Sequence, residues 1–280
     1  MPTGFIDVGD VESIEARVIV SEVLGLAYNE YKLRSLCRII KIPDLIGEVP
    51  IGTKLAGQRH VPPLEVALLT KQAYTTIPFD LEKYGKNVVH VAISYEAGKK
   101  KNLVGDILNM HVKDAAKSLA KMEDQDISEI LDAANFPTLP GTDWGTGTND
   151  PSDEIEDAIE TLSAMDKDYE ATDLLMHPLV KAKLISNNLV HNQLERDTMI
   201  QGKIPVYCGL SIVSDLHVTP TTSAYVICKD APSLVLGDGP SMVAKYDGGA
   251  AFFTGYAIAK FAEPKVVLSD AAIELTGVRT

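Results

Sequence analysis

The apolar residues of this chain change period along its length, and each change marks a different element. Leu108, Val112, Ala115, Leu119 and Met122 follow one another at spacings of four, three, four and three, which puts them on one face of a helix over residues 103–122. Lys113, Asp114, Lys117 and Lys121 fall on the other side and form a solvated face. A second, shorter helix is expected over residues 127–134, opened by Asp126 with Glu129 three residues on, in the manner of a capping box. The chain breaks at residues 135–140 and loops over 141–149. Asp150-Pro151 then supplies an N-cap and a proline at the first helical position, followed by the apolar stripe Ile155, Ala158, Ile159, Leu162 and Met165. Residues 173–176 read as a short strand. His177-Pro178 opens another helix over residues 179–186, and Asn187-Asn188 closes it, both residues tolerating the left-handed conformation of helix ends.

The flanks of this helical middle are different. In residues 1–36 the apolar positions Ile14, Val18, Ile19, Val20, Val23, Leu24 and Leu26 permit a short helix over about 19–35, but no strong cap frames it, and the segment reads as a partly extended arm. From Cys37 to Leu103 come short β-prone runs such as CRIIKIPDLIG, LEVALLTKQAYTTIPFDL and NVVHVAISYEA, punctuated by Pro43, Pro50, Gly52, Gly57, Pro62, Pro63, Pro78 and Gly85. These are long hairpins. Residues 47–63 hold too few core-forming side chains to pack within a monomer and look suited to reach a neighbouring molecule. From Val206 on, VYCGLSIVS, AYVICKD, SLVLGD, AAFFTGYAIAKFA and KVVLSDAAIELTGV make the last third mostly sheet, with Gly237-Asp238-Gly239 read as a turn.

Composition changes this picture in one respect. With 280 residues, 45% hydrophobic and 23% charged, the chain can bury a sizeable core, so it is an ordinary globular protein of one large or two smaller domains. Its net charge of -13 argues against a sequence-specific nucleic-acid reader, which needs clustered Lys and Arg to displace counterions. Cys37, Cys208 and Cys228 lie far apart with no C-x-x-C pair, and read as buried, inert thiols in a reducing setting. No apolar run of the roughly 20 residues that span a bilayer is present.

The search for chemistry finds no constellation. The histidines His60, His90, His111, His177, His191 and His217 share no metal-ligand spacing. His177 stands before a helix-opening proline without a nucleophile beside it, so a hydrogen-bonding role at the helix start is expected. Gly145 and Gly147 lack the preceding strand and the spacing of a phosphate loop, and Glu154 and Glu156 belong to the acidic opening of a helix. No cofactor, metal or catalytic residue is assigned, and the expectation is a protein that is not an enzyme.

The order of these segments resembles the major capsid proteins of tailed viruses, whose HK97-like fold is shared with encapsulins. The resemblance rests on the early arm, the Pro/Gly-rich hairpin of residues 41–90, the long helix from Leu103, DEIEDAIETL (153–162), DLLMHPLVKAKL (173–184), GKIPVYCGLSIVSD (202–215) and GYAIAKFAEPKVVLSDAAIELTGV (255–278). It implies an α+β capsid fold with an N-terminal arm (1–36), an extended loop and first peripheral strands (37–102), a peripheral domain with a spine helix (103–150), an axial domain (151–243) and return strands to the peripheral domain (244–280).

The resemblance also implies the function: self-assembly into an icosahedral shell of hexamers and pentamers around double-stranded DNA held without sequence specificity, as a virion capsid assembled in the host cytoplasm. Scaffolding, portal and decoration proteins would be further partners, and a membrane would not. Inter-subunit contacts are expected at Ile14, Val18, Ile19 and Leu24 of the arm, at Lys54 and His60 of the loop, and at Asn188 and His191 in a polar loop near the symmetry axes. Some members weld the loop to the peripheral domain through a Lys–Asn isopeptide bond. Lys54 and Lys71 are available here, but the last asparagine is Asn192, so no such crosslink is expected. No scaffolding segment is visible before the arm, so scaffolding would be separate, unnecessary or already cleaved off. The alternative is an encapsulin enclosing a cargo enzyme. Encapsulins tend to begin with an amphipathic helix, and this chain shows no such pattern before Ile14.

Overall fold

The computed structural model describes residues 14–52, 74–94, 104–146, 149–165, 169–193, 206–229, 233–247 and 253–279. The early strands are β1 (Arg38–Lys41), β2 (Ile46–Gly52), β3 (Tyr74–Asp80) and β4 (Lys86–Ser94). The later ones are β5 (Thr138–Pro140), β6 (Asp173–Met176), β7 (Val206–Tyr207), β8 (Leu210–Ser214), β9 (Ala224–Ile227), β10 (Leu234–Asp247), β11 (Phe253–Val266) and β12 (Ala272–Thr276). They form a four-stranded sheet in the order β1-β10-β11-β4, a six-stranded sheet in the order β5-β12-β9-β6-β8-β7, and the separate hairpin β2-β3.

Two layers cover the four-stranded sheet, and its strand period shows why. Along β11, Tyr256 and Ile258 point to the helical side, where they join Val91 in a core with Val23, Ala27, Val112, Ala115, Ala116 and Leu119. Ala259 and Phe261 point the other way and meet Ile42, Phe79 and Leu81 at the root of the β2-β3 hairpin. Gly237-Asp238-Gly239, expected as a turn, lies inside β10, where the pairing with β11 shifts register between Asp238 and Ser241. A β-carbon at Gly237 would stand 2.7 Å from the Phe79 ring, and one at Gly239 2.6 Å from the Leu81 side chain. These glycines are needed for the hairpin root to pack over the strand.

The helical layer corrects two expectations. The two helices read over 103–122 and 127–134 are one helix of 30 residues, Val104–Ala133. The polar run Glu123-Asp124, which falls between the two expected helices, is buried and serves the packing described below. The partly extended arm contains the helix Ile14–Glu30, which lies along this spine with Val23 and Ala27 fully buried. Residues 33–36 form a 3-10 turn whose Leu33 and Leu36 enter the central core. Removal of residues 1–36 would therefore damage folding itself.

At β6 and β9, in the middle of the six-stranded sheet, both faces are buried. Leu174 and Met176 of β6 and Ala224 and Val226 of β9 face a core with Trp144, Ile155, Ala158 and Leu162. Their alternates Leu175, Tyr225 and Ile227 face a second core shared with Ile127, Leu131 and Leu236. Such strands read as unbroken apolar runs, as DLLM and AYVI do. The helices Pro151–Ser163, Pro178–Ser186 and Asn188–Gln193 lie on the first of these faces. Asp150 caps the first through Ser152 N–H at 3.0 Å with Pro151 at the first position, as the sequence indicated.

The chain returns to the four-stranded sheet at Leu234, where β10 and β11 run as one continuous pair. Strand β12 pairs with β5 on one side and with β9 on the other in the six-stranded sheet.

Candidate assembly surfaces

The feature that most shapes the surface is the β2-β3 hairpin, in register from Ile46↔Asp80 at its root to Gly52↔Tyr74 at its far end. Its root is gripped by two charged side chains of β11. Glu263, buried, accepts the backbone N–H of Asp80 at 2.8 Å and pairs with Lys265 at 3.0 Å. Lys265 donates to the Pro78 carbonyl and lies over the Phe79 ring at 5.0 Å. The angle at which the hairpin leaves the body is thus fixed by two polar contacts and one aromatic contact at Pro78, Phe79 and Asp80, the root end of β3.

A buried charge network ties the N-terminal segment to the spine. Arg34 donates to Glu123 at 2.7 Å and pairs with Asp238 at 3.0 Å, and Asp238 also receives Lys260. Burial works against the Arg34 charge, but the two carboxylates outweigh it and hold its pKa above the usual value. Burial pushes the Glu123 carboxyl up against the pull of Arg34. The next carboxylate, Asp124, accepts the N–H groups of Lys32 and Leu33 at 3.2 and 2.9 Å, and burial raises it too. The 3-10 turn is thereby capped from the middle of the long helix.

The spine is also held to the six-stranded unit. Ser128 donates to the His217 carbonyl and Thr219 to Asp132, while Lys32 pairs with Asp215 at 3.4 Å. At the far side of that unit Trp144 is fully buried and donates its indole N–H to Glu154 at 2.7 Å. Asn187, also fully buried, donates to the carbonyls of Trp144 and Asn149 and accepts Leu189 N–H at 2.8 Å. Its φ of -69° and ψ of 127° are extended, so the left-handed ending expected at Asn187 is replaced by a tie between a loop and two helices. His177 accepts Leu179 N–H through Nδ1 at 3.1 Å, the helix-start role read from the sequence. Its pKa is lowered by burial and by Arg279. Cys37 and Cys228 are buried, and burial pushes the Cys37 thiol up to about 12. Cys208 is half-buried in a turn at φ 48°, with Gly209 at φ 78° beside it.

The eight residues expected at subunit contacts separate into three groups. Ile14, Val18, Ile19 and Leu24 sit on the N-terminal helix, and Leu24 packs against that helix's own core. The side chains of Ile14, Val18 and Ile19 lie outside the described residues, as do Lys54 and His60 altogether. Asn188 is exposed at the start of the helix Asn188–Gln193, on the six-stranded unit, and His191 is carried on the same helix. The two ends are therefore on different units. Sequence reasoning missed Glu263 and Lys265, although a charge pair inside the strand-like run KFAEPKVV is a signal. It missed Arg34, Glu123 and Asp238 because their partners are far apart in the chain. Further exposed apolar side chains are Tyr28, Ile39, Ile46, Tyr84, Met110, Leu179, Val206, Leu216 and Met242. Among the described residues no helix is long and apolar enough to cross a membrane, and no three potential ligands gather around a metal position.

The fold is shared with solved capsid structures. It is similar to the virus-like particle from Pyrococcus furiosus, at 14% identity and TM-score 0.62, over 94% of this chain and 100% of that one. It is similar to the capsid of the native GTA particle, at 12% identity and TM-score 0.64 over 90% of each chain. It is similar to the capsid of cyanophage P-SCSP1u, at 14% identity and TM-score 0.62 over 89% of this chain and 90% of that one. No family model matches the sequence, and no curated protein matches it. More particularly, the chain has the HK97-like α+β capsid fold with its projecting hairpin and spine helix.

Proposed function

We propose that this protein is the major shell-forming subunit of a tailed-virus capsid, assembling as hexamers and pentamers into an icosahedral virion shell around double-stranded DNA. The observation that carries the reading is coverage: solved capsid subunits share the fold over about nine tenths of both chains, leaving no sizeable part of this one for another activity. On this reading the four-stranded sheet with its spine is the peripheral domain and the six-stranded unit the axial domain. The protein is not an enzyme and works without a membrane; scaffolding, portal and decoration proteins are its further partners. The charge of -13 suits a wall that holds DNA without adhering to it.

A second reading, an encapsulin enclosing a protein cargo, is supported by one observation. The helix Ile14–Glu30 supplies the N-terminal helix whose pattern is not visible before Ile14 in the sequence. Size-exclusion chromatography and negative-stain electron microscopy of the purified chain test both. Closed particles are expected from the full chain. Copurified nucleic acid supports the virus and a copurified enzyme the encapsulin, while a monomer at every concentration, with or without added scaffold, would sink both. Residues 1–13 are the segment to delete when testing a swapped arm, since Val23, Ala27, Leu33 and Leu36 are core residues.

A further inference from the structure

The net charge of -13 is not spread evenly along the chain. Residues 150–170 hold nine carboxylates against Lys167 alone, which accounts for eight of the thirteen excess negative charges. Residues 97–122 run the other way, with six lysines against Asp106 and Asp114, a surplus of four positive charges. Such a division of charge within an acidic chain points to separate surfaces with separate partners.

The structure puts the two on different units. The acidic helix Pro151–Ser163 packs with Ile155, Ala158 and Leu162 on one face of the six-stranded sheet. The spine reaches the opposite face through Ile127 and Leu131 and carries its lysines farther along, where Val112, Ala115, Ala116 and Leu119 meet the four-stranded sheet. A sheet with a core on either side is on the order of 20 Å thick, and exposed charges are largely screened beyond roughly 8 Å at physiological salt. The acidic helix therefore does not cancel the field of the lysines.

Lys113, Lys117 and Lys121 are all exposed and follow one another at spacings of four, so they form one stripe on the solvent side of the spine. Among the described residues none of the three forms an ion pair, not even Lys117 with Asp114 three positions before it. Beside the stripe lies a groove of about 270 Å³ lined by Lys117, Lys121, Lys32 and His217. Its carboxylates Asp124 and Asp215 are engaged, the first by the N–H groups of Lys32 and Leu33 and the second by the Lys32 ammonium, which leaves Glu30. Like charges at a spacing of four weaken a helix, so nothing within the subunit explains the stripe. Its spacing fits a phosphate backbone. Four residues of helix rise about 6 Å, and alternate phosphates of one DNA strand lie about 7 Å apart along the axis.

We infer that the stripe Lys113–Lys117–Lys121 contacts the phosphates of the enclosed double-stranded DNA, and that the spine side of the four-stranded sheet is the inner wall of the shell. This rests on the virus reading. The net charge keeps adhesion low, and the stripe is where the remaining contact is made, without reference to sequence.

Cosedimentation of the unassembled full-length chain with long double-stranded DNA, between about 50 and 200 mM salt, tests it. Three phosphates neutralised give a slope of about -2.7 in log affinity against log salt, roughly a fortyfold loss across this interval. A variant carrying K113Q, K117Q and K121Q is expected to bind at least tenfold more weakly at the lower salt, with the slope flattened. A control carrying K41Q, K83Q and K86Q, three other exposed lysines, loses the same charge and should keep both affinity and slope. Melting and circular dichroism verify that each folds. The stripe variant should still form particles, with less nuclease-protected DNA inside. Equal weakening in the two variants, or an unaltered chain that binds no DNA at the lower salt, would overturn the inference. Preference of the unaltered chain for poly-glutamate over DNA would do so as well, assigning the stripe to an acidic protein segment. Particles lost from the stripe variant with DNA binding unchanged would assign it to a contact between subunits. In each of these cases particles from the unaltered chain leave the shell reading standing, whereas their absence, with or without scaffold, overturns that reading itself.

Discussion

His177 shows how a single side chain sets a pH dependence. Its Nδ1 can cap Leu179 N–H only when that nitrogen carries no proton, and the fold lowers the imidazole pKa through burial and the nearby Arg279. A depressed histidine contributes its stability fully above the unfolded value of about 6.5 and loses it as pH falls below that value. Between pH 7.5 and 5.5 the H177N variant, whose amide oxygen caps at any pH, is expected to lose less melting temperature than the unaltered chain. Equal losses would mean that the cap carries no pH dependence. Asn187 is instructive in the opposite sense. Its type announced a helix end, and a helix does end there, but the backbone is extended and the amide serves three other groups. Residue type indicated the place and not the conformation, because the carbonyls of Trp144 and Asn149 that decide it come from a loop some forty positions earlier.

At the scale of elements, the apolar period was a good guide wherever one face met one core, as in the helix Pro151–Ser163. It failed at the middle of the long helix. Glu123 and Asp124 interrupt the apolar stripe, and a reader who sees only neighbours along the chain ends the helix there. The groups that make them welcome, Arg34 and the N–H groups of Lys32 and Leu33, belong to a turn about ninety residues earlier. The same blindness turned the N-terminal helix into an arm, since its anchor is the spine and not a cap. Removing one partner of a buried ion pair leaves the other charge stranded. E123A should therefore cost about 3 kcal/mol by denaturant unfolding, towards the lower end because Asp238 still meets Arg34. E123Q, which keeps an acceptor for the guanidinium, should cost less. Equal costs would show that packing and not charge is lost.

For the whole molecule, the order of elements along the chain carried the fold class, because the capsid resemblance lies in sequence order and no single motif marks it. What the sequence did not reveal is which strands share a sheet, since β1, β10 and β12 are apolar runs of similar kind placed by partners far away. The same holds for the hairpin root. K265M keeps the contact with the Phe79 ring and gives up the ion pair and the bond to the Pro78 carbonyl. It should cost about 1–3 kcal/mol in unfolding free energy, because the buried Glu263 keeps the Asp80 N–H but loses its cation, while particle yield falls severalfold because the hairpin no longer leaves at one angle. Unchanged yield, measured by sedimentation of particles, would show that the hairpin finds its place without the clamp.

The strand order has a consequence for how the protein is made. In the four-stranded sheet the two outer strands, β1 and β4, are translated early, yet neither pairs with the other; each waits for β10 or β11. The six-stranded sheet likewise waits for β12, which lies between β5 and β9 and joins them. A nascent chain that has not yet reached β10 lacks the inner strands of one sheet and a bridging strand of the other, and domains complete their folding as units. Polysomes carry many such nascent chains side by side at high local concentration. Because the four-stranded sheet closes only once β11 has been made and the six-stranded sheet only once β12 has, the surfaces built on these sheets form late in synthesis, and association is deferred accordingly.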